Sequence, residues 1–229
     1  VYKRQDLDSI DLMVEERLKG KPLAYLTGKK GFWKSDFIIS PDVLVPRPET
    51  ETLVEAVLNE NLQGKTLLEL GTGSGVISIS IAQESRDCII FATDISIKSI
   101  LVAKQNAEKF CCENIIFLNH DWNNEWLFPQ VDYLISNPPY VDKEKTSGKE
   151  EGIWYEPEKA LFSNDKGLSD LRLILSKGKN YLNENGKVYL EHAPDQYEEL
   201  NKFALENGYL NFSNLNDLNG DKRVSIYQC

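Results

Sequence analysis

From Lys65 onward the chain alternates short apolar runs with helix-period segments, and this alternation narrows the possible folds more than any other feature. Strand-like runs stand at TLLEL (66–70), CIIFATD (88–94), IIFLNHD (115–121), VDYLISN (131–137) and KVYLEH (187–192). Helix-like segments separate them at 75–84, 96–109, about 167–182 and 195–207. Strand, helix, strand repeated in this way implies a parallel sheet wound with helices on both faces. The tail YLNFSNLNDLNGDKRVSIYQ carries no helical period and reads as two closing strands around an Asn/Gly/Asp turn. The expectation is an α/β fold, Rossmann-like, with a mostly parallel, doubly wound, seven-stranded sheet and an antiparallel closing edge.

Ahead of that pattern, Leu7, Ile10, Val14 and Leu18 recur at helical spacing until Gly20 and Pro22 end the run. One such helix cannot bury its stripe alone. It either docks on the main body or is the last piece of a helical domain. Residues 31–45, GFWKSDFIISPDVLV, alternate as a short hairpin or extended connector, and Pro46-Arg47-Pro48 stiffens the chain before a helix running to about Leu62. Three segments follow: 1–30 as the remnant of an N-terminal helical domain, 31–45 as a β-hairpin connector, and 46–229 as the main domain.

Charge and cysteines exclude several classes. Thirty-six acids against 26 Lys and Arg give a formal net charge of −10, which disfavours direct binding to a nucleic acid duplex. Cys88, Cys111, Cys112 and Cys229 form no C-x-x-C pair, and only His120 and His192 accompany them. No metal site and no disulfide framework are expected, which points to a reducing, cytoplasmic setting. No stretch approaches the roughly 20 apolar residues of a membrane span. A monomer is expected.

The chemistry starts at LLELGTGSG. Glycines at 71, 73 and 75 let the backbone turn sharply after the first strand of the pattern and approach a ligand closely. Asp94 ends the next strand, where an acid can take both hydroxyls of a ribose. A dinucleotide site prefers G-x-G-x-x-G, and here the third glycine comes one residue early. Glu69 would repel phosphate but suit an amine. Together, Glu69 and the loop Gly71, Thr72, Gly73, Ser74 and Gly75 favour a cationic, phosphate-free nucleoside, S-adenosylmethionine. At the third strand end, Asp121 can accept from an adenine amino group. Trp122 either packs against the base or is a buried aromatic.

The fourth strand delivers Asn137 at the sheet edge where parallel folds bind ligands, followed by Pro138, Pro139 and Tyr140. The Asn137 side-chain oxygen and the Pro138 carbonyl can accept both hydrogens of a planar NH₂ group. The prolines keep these acceptors fixed, and Tyr140 can stack on a planar substrate and close the pocket. His120 and His192 read as structural or peripheral, with a minor pocket role open for Glu191-His192, which ends another strand at the same sheet edge. The charged stretch DKEKTSGKEEG (142–152) is either a solvated connector or a lid.

With these residues in place, the chain resembles the HemK/PrmC-type release-factor glutamine methyltransferases. The likeness spans PLAYLTG (22–28), Phe32-Trp33, PRPETE (46–51), LELGTGSG (68–75), Asp94, Asp121-Trp122, SNPPY (136–140), YEP (155–157), LEH (190–192) and D-L-x-G-x-x-R (217–223). Ala193 departs from it, standing where the family carries glycine. The resemblance implies a class I methyltransferase fold. It also implies S-adenosyl-L-methionine as cofactor, with S-adenosyl-L-homocysteine as product, held by Gly71 to Gly75, Asp94 and Trp122. Asn137, Pro138, Pro139 and Tyr140 would hold the glutamine of a Gly-Gly-Gln motif in a class I release factor while its N5 nitrogen is methylated. NPPY alone is shared with adenine-N6 nucleic-acid methyltransferases, the alternative reading.

Overall fold

The computed structural model describes residues 4–146 and 152–229, with side chains from Ser9 onward, and its elements follow the alternation in the sequence. Strands β3 (Thr66–Leu70), β4 (Ile89–Asp94), β5 (Ile115–Asn119), β6 (Val131–Ser136), β7 (Leu182–Glu191), β8 (Asn211–Asn216) and β9 (Lys222–Gln228) form one seven-stranded sheet in the order β5-β4-β3-β6-β7-β9-β8. Strands β3 to β7 pair parallel, whereas β9 pairs antiparallel with both β7 and β8. The expected mixed edge is present.

Burial on both faces explains why the strands read as near-continuous apolar runs. On one face Leu67, Ile90, Tyr133, Ile135 and Tyr189 pack under helices α3 (Glu51–Leu58), α4 (Val76–Glu84) and α5 (Ile97–Lys109). On the other, Leu68, Leu70, Leu134, Val188 and Leu190 pack under α7 (Ser169–Gly178) and α8 (Tyr197–Glu206). The strand alternation matters for function: residues 133, 135 and 137, like 189 and 191, fall in step with the α3 face.

Several boundaries differ from the sequence reading. Helix α3 ends at Leu58 rather than Leu62, and β7 starts at Leu182 rather than 187. The hairpin is β1 (Lys29–Phe32) with β2 (Ser35–Ile38), preceded by a short helix α2 (Leu23–Thr27) inside PLAYLTG that the apolar period is too brief to reveal. Beyond Ile38 the chain turns at 41–43, with Val43 N donating to Ser40 O, and joins the main body. Helix α1 (Arg4–Leu18) leaves Ile10, Val14 and Leu18 exposed. Residues 147–151 of the charged stretch lie outside the described residues. Among those described, no helix is long and apolar enough to cross a membrane.

The sheet order reverses between β3 and β6: β3 leads outward to β4 and β5, while β6 leads the other way to β7. A crevice opens at such a reversal, beyond the carboxyl ends of the strands. Leu70 is in register with Ser136. The glycine loop and Asn137 therefore leave adjacent strands side by side.

Candidate active site

The glycine loop is held mainly by backbone contacts. Gly71 N and Thr72 N both donate to Thr93 O, at 2.9 and 2.8 Å, and Gly73 N donates to Asp94 Oδ2 at 2.9 Å. All three glycines adopt positive φ. At Gly75 a Cβ would lie 2.8 Å from Ile79 Cδ1 and 3.1 Å from Ala103 Cβ, so only glycine lets α4 start this close to α5. Asn106 of α5 fixes the loop from below, donating through Nδ2 to Ser74 O at 2.9 Å and to Ile38 O at 3.0 Å.

Above the loop lies a cavity of about 400 Å³, lined among others by Gly71, Gly73, Asp94, Trp122, Asn137 and Pro139. Residues 41–44 and 155–160 complete its wall. Asp94 receives backbone N–H groups on both oxygens, from Gly73 and from Ser96. Burial raises its pKa, opposed by those two bonds. Each oxygen keeps a further lone pair for a ligand. The Trp122 ring faces Gly71 while its Nε1 donates to Asp170 Oδ1 at 3.0 Å. It is thus both packed against the domain and part of the cavity wall.

Four expectations need correction. Glu69 does not face the cavity: it is fully buried under the loop, accepting from Thr72 Oγ1 at 2.7 Å and from Ser78 Oγ. Burial pushes its pKa up to about 7, against the pull of the Ser78 and Thr72 hydroxyls. Thr72 and Ser74 are buried as supports of the loop. Asp121 is spent on its own turn, where Oδ1 accepts from Asn123 N at 2.9 Å and Nδ2 at 2.8 Å; that backbone bond lowers its pKa. Tyr140 lines a second cavity with Val141, Lys145 and Gln196 instead of closing the first. Its hydroxyl donates to Glu191 Oε1 at 2.9 Å, and burial raises its pKa.

At the corner itself Asn137 reaches the cavity while Pro138 is buried behind it. Asn137 Nδ2 donates to Thr50 Oγ1 at 3.0 Å. In this orientation the amide nitrogen lies on the protein side and Oδ1 is the acceptor available to a ligand. Gln196 holds the far end, donating from Nε2 to Tyr140 O at 3.0 Å and to Lys166 O at 3.2 Å. His192 is structural, with ring nitrogens engaged by Ala193 O and Ser225 Oγ and a pKa lowered by burial.

The sequence reading assigned no role to Thr50 or Glu156. Glu156 is buried; its Oε2 accepts from Val45 N at 2.9 Å and its Oε1 from Arg47 at 2.5 Å. Tyr25 Oη donates to Val43 O at 2.6 Å. The motifs PLAYLTG, PRPETE and YEP thus meet along residues 41–47, of which 41–44 line the cavity. Their motif membership was the only available signal, because the partners are far apart in sequence.

Comparison with known proteins identifies the family. Residues 48–156 match the methyltransferase small domain family. The chain is 34% identical over its whole length to the release factor glutamine methyltransferase of Aliivibrio fischeri, covering 81% of that protein. It is 33% identical to the enzyme of that name from Escherichia coli, with 97% of the chain and 80% of the relative covered. The chain belongs to the release factor glutamine methyltransferase family. Among solved structures, a methyltransferase from Pyrococcus furiosus superposes with a TM-score of 0.64 at 20% identity, covering 94% of this chain and 96% of its own. TYW2 from M. jannaschii, solved in complex with AdoMet, gives 0.59 at 15%, with 87% and 84% covered. These two likenesses concern the fold.

Proposed function

We propose that this member of the family methylates the N5 side-chain nitrogen of the glutamine in the Gly-Gly-Gln motif of class I release factors, with S-adenosylmethionine as donor. The observation that carries the reading is that Asn137 lines one cavity together with Gly71, Gly73 and Asp94. The residues present fit the donor. Gly73 offers open space where a side chain would stand, Trp122 offers a flat apolar face, and Asp94 offers spare acceptors. Of the acids in the wall, Asp42, Glu156 and Glu158 are paired with Lys98, Arg47 and Lys143, whereas Asp94 carries no ion pair among the described residues and leaves a negative charge that suits a cation better than a phosphate.

When bound, S-adenosylmethionine supplies a methyl group activated by its sulfonium. Asp94 holds the nucleoside side of the crevice. Asn137 Oδ1 and the Pro138 carbonyl accept the two hydrogens of the substrate amide, drawing electron density onto its nitrogen and aligning it. Fixed acceptors do this with little reorganisation during the reaction. The acceptor protein is met in the cytoplasm, and residues 1–30 contribute to gripping it.

Incubation with labelled S-adenosylmethionine and an intact release factor, followed by peptide mass spectrometry, tests the reading. One methyl on the Gly-Gly-Gln glutamine is expected. Label in DNA or RNA with none in the protein would overturn it in favour of adenine-N6 chemistry.

A further inference from the structure

Trp122 offers its flat face to the cavity, and the plane of that face is set from helix α7 rather than from its own turn. The ring is pinned at both ends. A Cβ on Gly71 would lie 3.2 Å from Trp122 Cζ3, so the six-membered edge closes over the glycine loop. At the opposite end Nε1, the one donor of an indole, donates to Asp170 Oδ1 at 3.0 Å. The torsion that turns an indole is broad and roughly two-fold, and contact with a glycine alone would leave the plane loosely defined. The hydrogen bond selects one orientation, because an indole turned the other way would leave its own N–H and the Asp170 carboxylate without each other.

Asp170 is itself held. Its Oδ2 accepts from Ser163 Oγ at 2.5 Å, and its backbone N donates to the same oxygen at 3.1 Å. Two turns further along α7, on the same side of the helix, Lys177 places its three N–H groups on the carbonyls of Trp122, Asn123 and Asn124 at 2.9, 2.8 and 3.0 Å. Trp126 Nε1 adds a second donor to Trp122 O at 2.8 Å. One charged residue of α7 thus fixes the backbone of the 122–124 turn, and another fixes the ring that leaves it. Neither lines the cavity itself.

We propose that Asp170 is a positioning residue for the methyl donor: it holds the Trp122 indole in the plane against which the donor's heterocycle packs, while Lys177 keeps the turn beneath it in place. This rests on the reading of the cavity as the S-adenosylmethionine site. A wall that has to be ordered when the ligand arrives lowers affinity by the entropy of that ordering, and a wall ordered beforehand does not. Loss of Asp170 therefore falls on cofactor affinity, and it does so only while an indole N–H is there to be held.

Calorimetric titration of S-adenosylmethionine into the full chain and its variants tests this. Asp170→Ala should weaken binding by about 3- to 10-fold. Asp170→Asn, which keeps an oxygen for the indole N–H, should restore most of the loss. The deciding measurement is a double-mutant cycle with Trp122→Phe, whose flat ring has no N–H. In that background Asp170→Ala should change Kd by no more than about twofold. An equal loss in both backgrounds overturns the proposal, because Asp170 would then act through Ser163 or the general packing of α7. Wild-type affinity in Asp170→Ala overturns it as well. If Asp170→Ala fails to fold, the cycle run with Asp170→Glu decides: a loss confined to the Trp122 background upholds the proposal, and an equal loss or none overturns it. Trp122→Ala run in parallel separates the two readings. Wild-type affinity in that variant overturns the cavity as the cofactor site and this proposal with it. Weakened binding in Trp122→Ala beside wild-type binding in Asp170→Ala overturns this proposal alone.

Discussion

The two sides of the cavity are built in opposite ways. The glycine loop after β3 is held mostly through its own backbone, by N–H groups donated to the Thr93 carbonyl and the Asp94 carboxylate of the adjacent strand. Helix α4 starts at once, and Asn106 caps Ser74 O. The corner after β6 is made from a distance. Asn137 leans on Thr50, 87 residues away, Tyr140 on Glu191, 51 away, and the Tyr140 carbonyl on Gln196, 56 away. A site that must cradle a ligand by its backbone needs glycines in local sequence. A site that must present one atom in one orientation needs partners wherever the fold brings them.

The largest effect expected from separating the two sides is at the corner. Asn137→Ala should lower kcat by about 10³-fold, on the scale of losing one fixed hydrogen-bonding group in a transition state, while cofactor affinity measured by calorimetry stays near wild type. An equal loss in both would erase the distinction drawn here.

Next comes the carboxyl under the loop. Glu69 titrates near 7 in the folded chain against a reference of 4.5. The folded state therefore binds the extra proton between those values, and stability falls as pH rises from about 4.5 to 7, by up to about 3 kcal/mol. Denaturant melts across that range should show Glu69→Gln losing this slope. An unchanged slope would mean that the loop rests on an ordinary ionised carboxylate.

Gly75→Ala probes the loop's local construction. The new Cβ meets Ile79 and Ala103 at a positive φ, and the variant should melt about 1–3 kcal/mol earlier in stability terms. Smallest, Asp94→Asn should weaken S-adenosylmethionine binding by about tenfold, the loss expected for hydrogen bonds to a charged acceptor, with kcat at saturation close to wild type. Together with Asn137→Ala it would show affinity on one side and turnover on the other.

This contrast also explains what the sequence made legible. The strand runs, the glycine loop and Asp94 follow from periodicity and local geometry, and the structure places them where those rules put them. Glu69 and Asp121 were misjudged because a carboxylate next to a ligand loop looks the same in sequence whether it points outward, into a core of hydroxyls, or back onto its own turn. Tyr140 was given to the substrate because no local pattern announces that a glutamate 51 residues later will take its hydroxyl. Thr50 and Glu156 sat inside recognisable motifs, but their partners emerge only when β6, β7 and the 41–47 segment are assembled.

The clasp of Glu156 on Val45 and Arg47 has a further implication for how the protein is made. The segment from Val43 to Arg47 is synthesised early, yet the carboxylate that receives its Val45 N–H comes 111 residues later. Glu191, which answers Tyr140, comes later still. The contacts of the glycine loop are complete once the segment through Asn106 has been made, whereas those of the corner also need Glu156, Glu191 and Gln196.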